Sequence, residues 1–469
     1  MGIRAKPVVL RRTLLSTAAG LAVAGITRSA ITGTSPAQER ELTVRAGSAA
    51  LVGKNWPQTA VWTYDGGVPG PLLRVRQGEP LRIVVHNELS QDTTVHWHGI
   101  RLPIAMDGVP GISQPPIRPG ASFTYAFTPP DAGAFWYHPH ANSLEQLGRG
   151  LAGALIVEEP EPAPVDRELV WTIMDWRLRR DAQLEAGFGN RMEAAMAGRI
   201  GNTVTINGAV PGDEPVRAGE RVRIRLINAT LARIMALRFQ GHRPTVVAVD
   251  GQPCEPHQPS DRGLLLGPAM RIDIVVDMQG EPGRRYAVID DFYDDLDYTL
   301  THLAYDKAAP SRSPYAGLQV HLSRNPLPEP DLRSAEHLEL VLEGGMMGGI
   351  GGVRGMGRAA WAINGMSMAG DGHADMPPLA TLRAGRSHVL RIRNDTVWWH
   401  PMHLHGHSFR VLSRNGTRVP NSIWCDTVLL PPKDVVDVGF VADNPGDWML
   451  HCHVTDHQAA GLMAILRIE

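Results

Sequence analysis

Apolar residues along this chain gather in short runs rich in Val, Ile and Leu. The runs at 81–86, 122–127, 153–157, 221–227, 245–249, 272–276, 387–392 and 435–440 are each bounded by Gly, Pro, Asn or Asp. Those residues reverse the chain, so the pattern predicts β-strands joined by turns. One phrase recurs three times: LRVRQGEPLRIVVHNEL (73–89), VRAGERVRIRLINAT (216–230) and LRAGRSHVLRIRNDT (382–396). Each copy holds a Gly turn, a strand of alternating basic and apolar residues, and then Asn. Three copies of one sandwich unit follow from this reading.

Two proline-bearing stretches, 158–166 and 324–333, read as linkers. The predicted organisation is all-β, with three consecutive Greek-key β-sandwich domains at 38–160, 161–327 and 328–469. Composition agrees: 49 Gly and 37 Pro among 469 residues suit a turn-rich β protein. The net charge of -2 supplies no basic face for phosphates, so no nucleic-acid partner is expected.

Residues 1–37 differ from the rest. Arg4, Lys6 and the pair Arg11–Arg12 precede an apolar run at 14–26 that is too short to span a bilayer comfortably. The string RRTLL resembles a twin-arginine export signal. A membrane anchor is the alternative. Cleavage near Ala37 would release a periplasmic or secreted protein with no stable membrane insertion. Only Cys254, Cys425 and Cys452 carry thiols, so no disulfide framework is expected. Cys254 and Cys425 either pair or remain two apolar thiols. The stretch EGGMMGGIGGVRGMGR (343–358) is too Gly-rich for a strand or helix. Its Met346, Met347 and Met356, with Met366 and Met368 beyond, are soft donors for cuprous ion or incidental loop residues.

The chemistry lies in the histidines. Ten of 19 fall in four clusters: His96 and His98; His138 and His140; His400, His403 and His405; His451, His453 and His457. Strand residues two apart share a face, so His96/His98, His138/His140, His403/His405 and His451/His453 each present two imidazoles to one side. These eight ligands are enough for three metal ions. Cys452, between His451 and His453, must point the other way. His400 sits at an odd offset from His403 and also faces away. His457, five residues after Cys452, returns beside the thiolate through a tight loop. Two imidazoles and one thiolate form the trigonal set that suits copper in both oxidation states. Only a few covalent bonds then separate that copper from the octet.

At these motifs the chain resembles the multicopper oxidases, which include laccases, ascorbate oxidases and bacterial copper-efflux oxidases. The resemblance implies three cupredoxin domains and four copper ions: one type 1, one type 2 and a type 3 pair. It assigns His400, Cys452 and His457 to type 1, and His96 and His403 to type 2. His98, His138 and His453 would hold one type 3 copper, and His140, His405 and His451 the other. It implies a middle domain that only spaces the outer two, dioxygen as acceptor, and a small-molecule or metal-ion electron donor.

Two positions depart from the family pattern. Leu462 stands where efflux oxidases place a weak axial Met, which predicts a raised type 1 potential. Gln458 stands where many relatives place a proton-delivering Glu. Asp107, nine residues after His98, matches the family's acidic group near type 2 copper; it is a proton donor or a turn residue in MDGVPG. For the donor, Trp398 and Trp399 beside His400 favour oxidation of phenols and aromatic amines, with the electron leaving at His457 or His400 on a cleft edge. The Met/Gly loop favours a periplasmic cuprous oxidase instead.

Overall fold

A computed structural model describes residues 38–312, 319–346, 360–370, 376–421 and 423–469. Residues 1–37, the predicted export signal, and Met347 and Met356 lie outside these residues. The described chain is almost entirely strand, laid out in six sheets. Each of the eight predicted runs forms a strand with its end displaced by at most a residue or two, for example Ser122–Phe127 and Thr245–Val249.

The repeated phrase folds the same way each time. Its long strand, Leu81–Asn87, Arg221–Asn228 or Ser387–Asn394, pairs in parallel with the strand Gln38–Ala49, Arg167–Trp176 or Glu336–Gly344. Its other edge pairs antiparallel with Ser122–Phe127, Arg271–Asp277 or Val435–Val441. The closing Asn of each copy is buried and bonds identically. Asn87 Oδ1 accepts from Leu89 N, Asn228 Oδ1 from Thr230 N, and Asn394 Oδ1 from Thr396 N, at 2.9–3.0 Å. Their amide nitrogens reach across to the carbonyls of Ile117, Leu266 and Pro431 at 2.8 Å. One side chain thus satisfies several backbone groups at the point where the chain leaves the sheet. The three units are cupredoxin-like sandwiches.

Alternation along the strands fills their interiors. Ile83, Val85, Ile224, Leu226, Leu390 and Ile392 are fully or almost fully buried, as are Trp97, Trp171, Trp361 and Trp448. At roughly 1.5–3 kcal/mol per large apolar side chain, this burial dominates the favourable side of folding. The three cysteines are free, so Cys254 and Cys425 do not pair. Among the described residues no helix is long and apolar enough to cross a membrane.

Candidate metal centre

The eight paired histidines meet between the first and third sandwiches. His96 lies opposite His138 across one antiparallel ladder, and His403 opposite His451 across another. His140, His405 and His453 fall just past the ends of their strands, so alternation alone did not guarantee their direction. The ligand atoms nevertheless gather into three sets, His96/His98/His403, His98/His138/His453 and His140/His405/His451. Within each set every ligand atom lies within 4.8 Å of the others.

Strand alternation does settle the fourth set. Met402 lies opposite Cys452 and His403 opposite His451, so Cys452 points to the face that His400 and Met402 share. Its Sγ is 3.5 Å from His400 Nδ1 and 3.6 Å from His457 Nδ1. Leu462 is buried in the same apolar cluster as Cys452. Met463 lies opposite His451, facing away from the thiol, and packs with Met368 and Met449. Met368 is therefore core rather than surface loop.

These residues fit metal ions on their own geometry. Eight of the ten imidazoles, all but His140 and His453, fix one nitrogen on the protein and leave the other to the cluster, which is how second-shell partners orient metal-ligating histidines. His96 Nδ1 donates to Asp107 O at 2.8 Å, His403 Nδ1 to Asp426 O at 2.9 Å, and His451 Nδ1 to Cys452 O at 2.9 Å. The inward nitrogens His96 Nε2, His98 Nδ1 and His403 Nε2 are buried without a partner. Others face one another: His405 and His451 Nε2 at 3.0 Å, His138 and His453 Nε2 at 3.4 Å, His400 and His457 Nδ1 at 3.2 Å. Opposed lone pairs in a buried site are costly unless a cation lies between them. Burial, first among the causes, lowers the pKa of His98, His138, His140, His400, His403, His405, His451 and His453, and takes His457 down to about 4. The imidazoles are therefore neutral and ready to ligate. Burial pushes the Cys452 thiol up, so a soft cation must displace its proton.

Three family profiles, each described as multicopper oxidase, match residues 44–162, 167–308 and 354–469. The chain belongs to the multicopper oxidases. It is 30% identical to a multicopper oxidase of Mycobacterium tuberculosis over 87% of this chain and 82% of that protein. It is 31% identical to a laccase of Fomitopsis schrenkii over 88% of this chain and 83% of that one. The crystal structure of a Pseudomonas thermotolerans multicopper oxidase superposes with TM-score 0.81 at 36% identity, covering 92% of this chain and all of that one. As a multicopper oxidase this protein is a copper-dependent oxidoreductase with dioxygen as acceptor. Its cofactors are one type 1 copper, one type 2 copper and a type 3 pair.

Several residues around the coppers carry no motif. Asp426 is buried, with Oδ1 3.1 Å from His98 Nε2 and 3.2 Å from His403 Nδ1. Arg271 grips both its oxygens, at 2.9 and 2.6 Å. Asp250 accepts from the amides of Arg271, Asp426 and Thr427. Burial raises Asp426, but Arg271 and His403 outweigh it and hold the carboxyl below the usual range. Burial, then Asp426, pushes Asp250 up to about 7 against the pull of Arg271. Gly99, which follows His98 at φ +85°, makes room for this trio: a Cβ there would meet Arg271 at 2.2 Å. Asp107 is buried, with Oδ2 2.9 Å from His405 Nδ1 and Oδ1 3.2 Å from His96 Nδ1.

The middle sandwich supplies Arg271 and Asp250, and it also reaches the Cys452 set. His457 Nε2 donates to Met196 O at 2.7 Å, and Arg199 N donates to Asp456 at 2.7 Å. Trp361 packs on His457 and His400 at ring distances of 4.4 and 5.0 Å. The middle unit thus does more than space the outer two. His400 and His457 are fully buried, so neither stands at a cleft edge. The one local signal for Asp426 is an acid interrupting the apolar run IWCDTVLL.

Proposed function

We propose that His400, Cys452 and His457 hold the type 1 copper, His96 and His403 type 2, His98, His138 and His453 one type 3 copper, and His140, His405 and His451 the other. The position of Cys452 carries the proposal. Its thiol sits against two imidazoles while its own backbone neighbours, His451 and His453, turn to the opposite sets. The bound coppers supply one-electron oxidation at one site and four-electron reduction of dioxygen to water at the other three. The protein's part is to hold neutral imidazoles in fixed directions, to exclude water, and to place a short covalent path between the sites. Asp107 orients His405 and His96 and is a buried carboxylate beside the type 2 ligand His96, placed to deliver protons to reduced oxygen. Cys452→Ser should abolish the blue colour of the copper-loaded enzyme. A variant that stays blue refutes the assignment. Leu462 brings no sulfur to the type 1 set, so the potential is raised, and Leu462→Met should lower it in a redox titration.

The donor we favour is a phenol or aromatic amine, in line with the laccase relative and the indoles of Trp398 and Trp399. A specific observation supports cuprous ion as the second reading. Met192 and Met196, 55% and 37% exposed, lie on the segment whose carbonyl caps His457. Oxygen consumption with phenols, anilines, cuprous and ferrous ions, with and without residues 344–357, separates the two. We further infer twin-arginine export of a periplasmic or secreted protein with domains at 38–160, 161–327 and 328–469. Cytoplasmic retention of an Arg11→Lys/Arg12→Lys variant tests the export route.

A further inference from the structure

We propose that a cavity between the middle and third sandwiches binds an aromatic acid, a phenol bearing a carboxylate, as electron donor through Trp399. The inference rests on the phenol-oxidase reading and names its substrate class and entry point. The cavity has a volume of about 540 Å³, ample for a single ring. Its wall is mostly apolar, with Leu264 and Ile272 from the middle sandwich and Val411 and Leu429 from the third. It lies apart from the Met196 and Trp361 side of the type 1 set, since neither residue lines it.

Three features point to this occupant. Trp399 lines the cavity and its backbone continues directly into His400, whose Nδ1 faces Cys452 at 3.5 Å. A ring packed on the indole is then one peptide unit from a type 1 ligand, whereas His457 is capped by Met196 and offers no contact. The Arg262 guanidinium stands 5.6 Å over the same indole and, among the described residues, makes no ion pair or hydrogen bond. The other charged groups of the lining are matched, with Arg414 3.2 Å from Asp434. One open positive charge above an aromatic floor suits one carboxylate on a ring. The phenol gives up one electron, which leaves along the Trp399–His400 peptide, and its phenolic proton, which leaves to water at the mouth. The product is a phenoxyl radical, and four such oxidations balance the reduction of one dioxygen with four protons to two waters.

The test begins with the copper-free protein, by equilibrium dialysis of 4-hydroxybenzoate and of uncharged 4-hydroxybenzyl alcohol. Arg262→Gln, on an exposed side chain, should weaken 4-hydroxybenzoate about tenfold, the loss of one charge-assisted contact, and the alcohol less than about twofold. Leu265→Trp, which fills the cavity from a half-buried position, should abolish binding of both. In the copper-loaded enzyme Arg262→Gln should raise KM for 4-hydroxybenzoate by the same factor and leave kcat near that of wild type. If a folded Leu265→Trp protein binds both compounds as wild type does, or Arg262→Gln binds the acid undiminished, the site is refuted. Binding that responds as expected with an unmoved KM refutes the cavity as the entry point. Failure of the wild-type enzyme to oxidise any phenol would instead overturn the phenol-oxidase reading, and the dialysis would still decide whether the cavity takes the acid.

Discussion

The outer sandwiches and the middle one put different side chains at the same place in the same sheet. In the first unit the order is Gly70–Arg76, Gly153–Glu158, Gly133–His138 and His96–His98. In the third the fourth strand is His400–Leu404, and in the middle unit it is Met235–Phe239. The Asn clamp stands before all three. Two of the strands carry imidazoles and the other carries Met, Ala, Leu, Arg and Phe. The topology therefore fixes where a ligand can stand, and the side chain decides whether one does. The middle unit spends its polar residues elsewhere. Arg271 and Asp250 cross to the trinuclear side, and the Met196 carbonyl caps His457. Four experiments break or sharpen this contrast.

Arg271→Ala should have the largest effect. It strands Asp426 and Asp250 as buried carboxylates, at about 3–5 kcal/mol for a broken buried pair. Denaturant unfolding should show the loss, with copper content falling as Asp426, the common partner of His98 and His403, loses its anchor. Full stability and four coppers in the variant would mean that the middle unit is a spacer after all.

Acidification comes next. Burial takes His457 and His407 down to about 4, below the unfolded value of about 6.5. Between those values the unfolded chain binds more protons than the folded one, so unfolding free energy rises with pH. Copper-free protein should therefore lose stability as pH falls from about 6.5 to 4, by about 1.4 kcal/mol per unit for each group. Bound copper would keep His457 unprotonated in the folded enzyme, as burial does, and would also hold Cys452 deprotonated, so the loaded enzyme should lose stability with falling pH at least as steeply in thermal melts across this range.

Asp107→Asn keeps the shape and removes the charge beside His405 and His96. Oxygen reduction should slow by about 10–100-fold, the usual size of a second-shell loss, with the blue colour retained. Unchanged turnover would assign Asp107 to the turn alone.

The smallest effect separates the clamps. Asn228→Ala and Asn394→Ala should each cost about 1–3 kcal/mol, because each leaves buried backbone groups unpaired. Only Asn394→Ala should also lower copper occupancy, since its clamp positions Trp398 and the strand that opens at His400. Equal copper loss in both would show that the clamps serve the fold as a whole.

Much of this was legible in the chain because it depends on short-range regularities. Alternating apolar residues bounded by turn formers mark the strands, and the threefold phrase ending in Asn marks the repeated unit. The four histidine clusters mark the candidate ligands, and a period of two residues sends Cys452 away from His451. Asp426, Arg271 and Trp361 carry no such pattern. Each is one residue of a type common in any strand or loop, and its role arises only when separate segments of the chain pack together, as Arg271 does on Asp426. The burial of His400 and His457 escaped for the same reason, since Trp361 of the third unit and Met196 of the middle one close over them only in the folded protein.

The chain by itself determined the strands, the repeat, the histidine clusters and the opposed faces of His451 and Cys452, because backbone geometry acts over a few residues and leaves its period in the sequence. Tertiary structure alone decided which imidazoles gather together, which carboxylates and guanidinium steady them, and which of them are buried. Those are questions of distance between remote segments, and they are answered only when three separate cores close on one another.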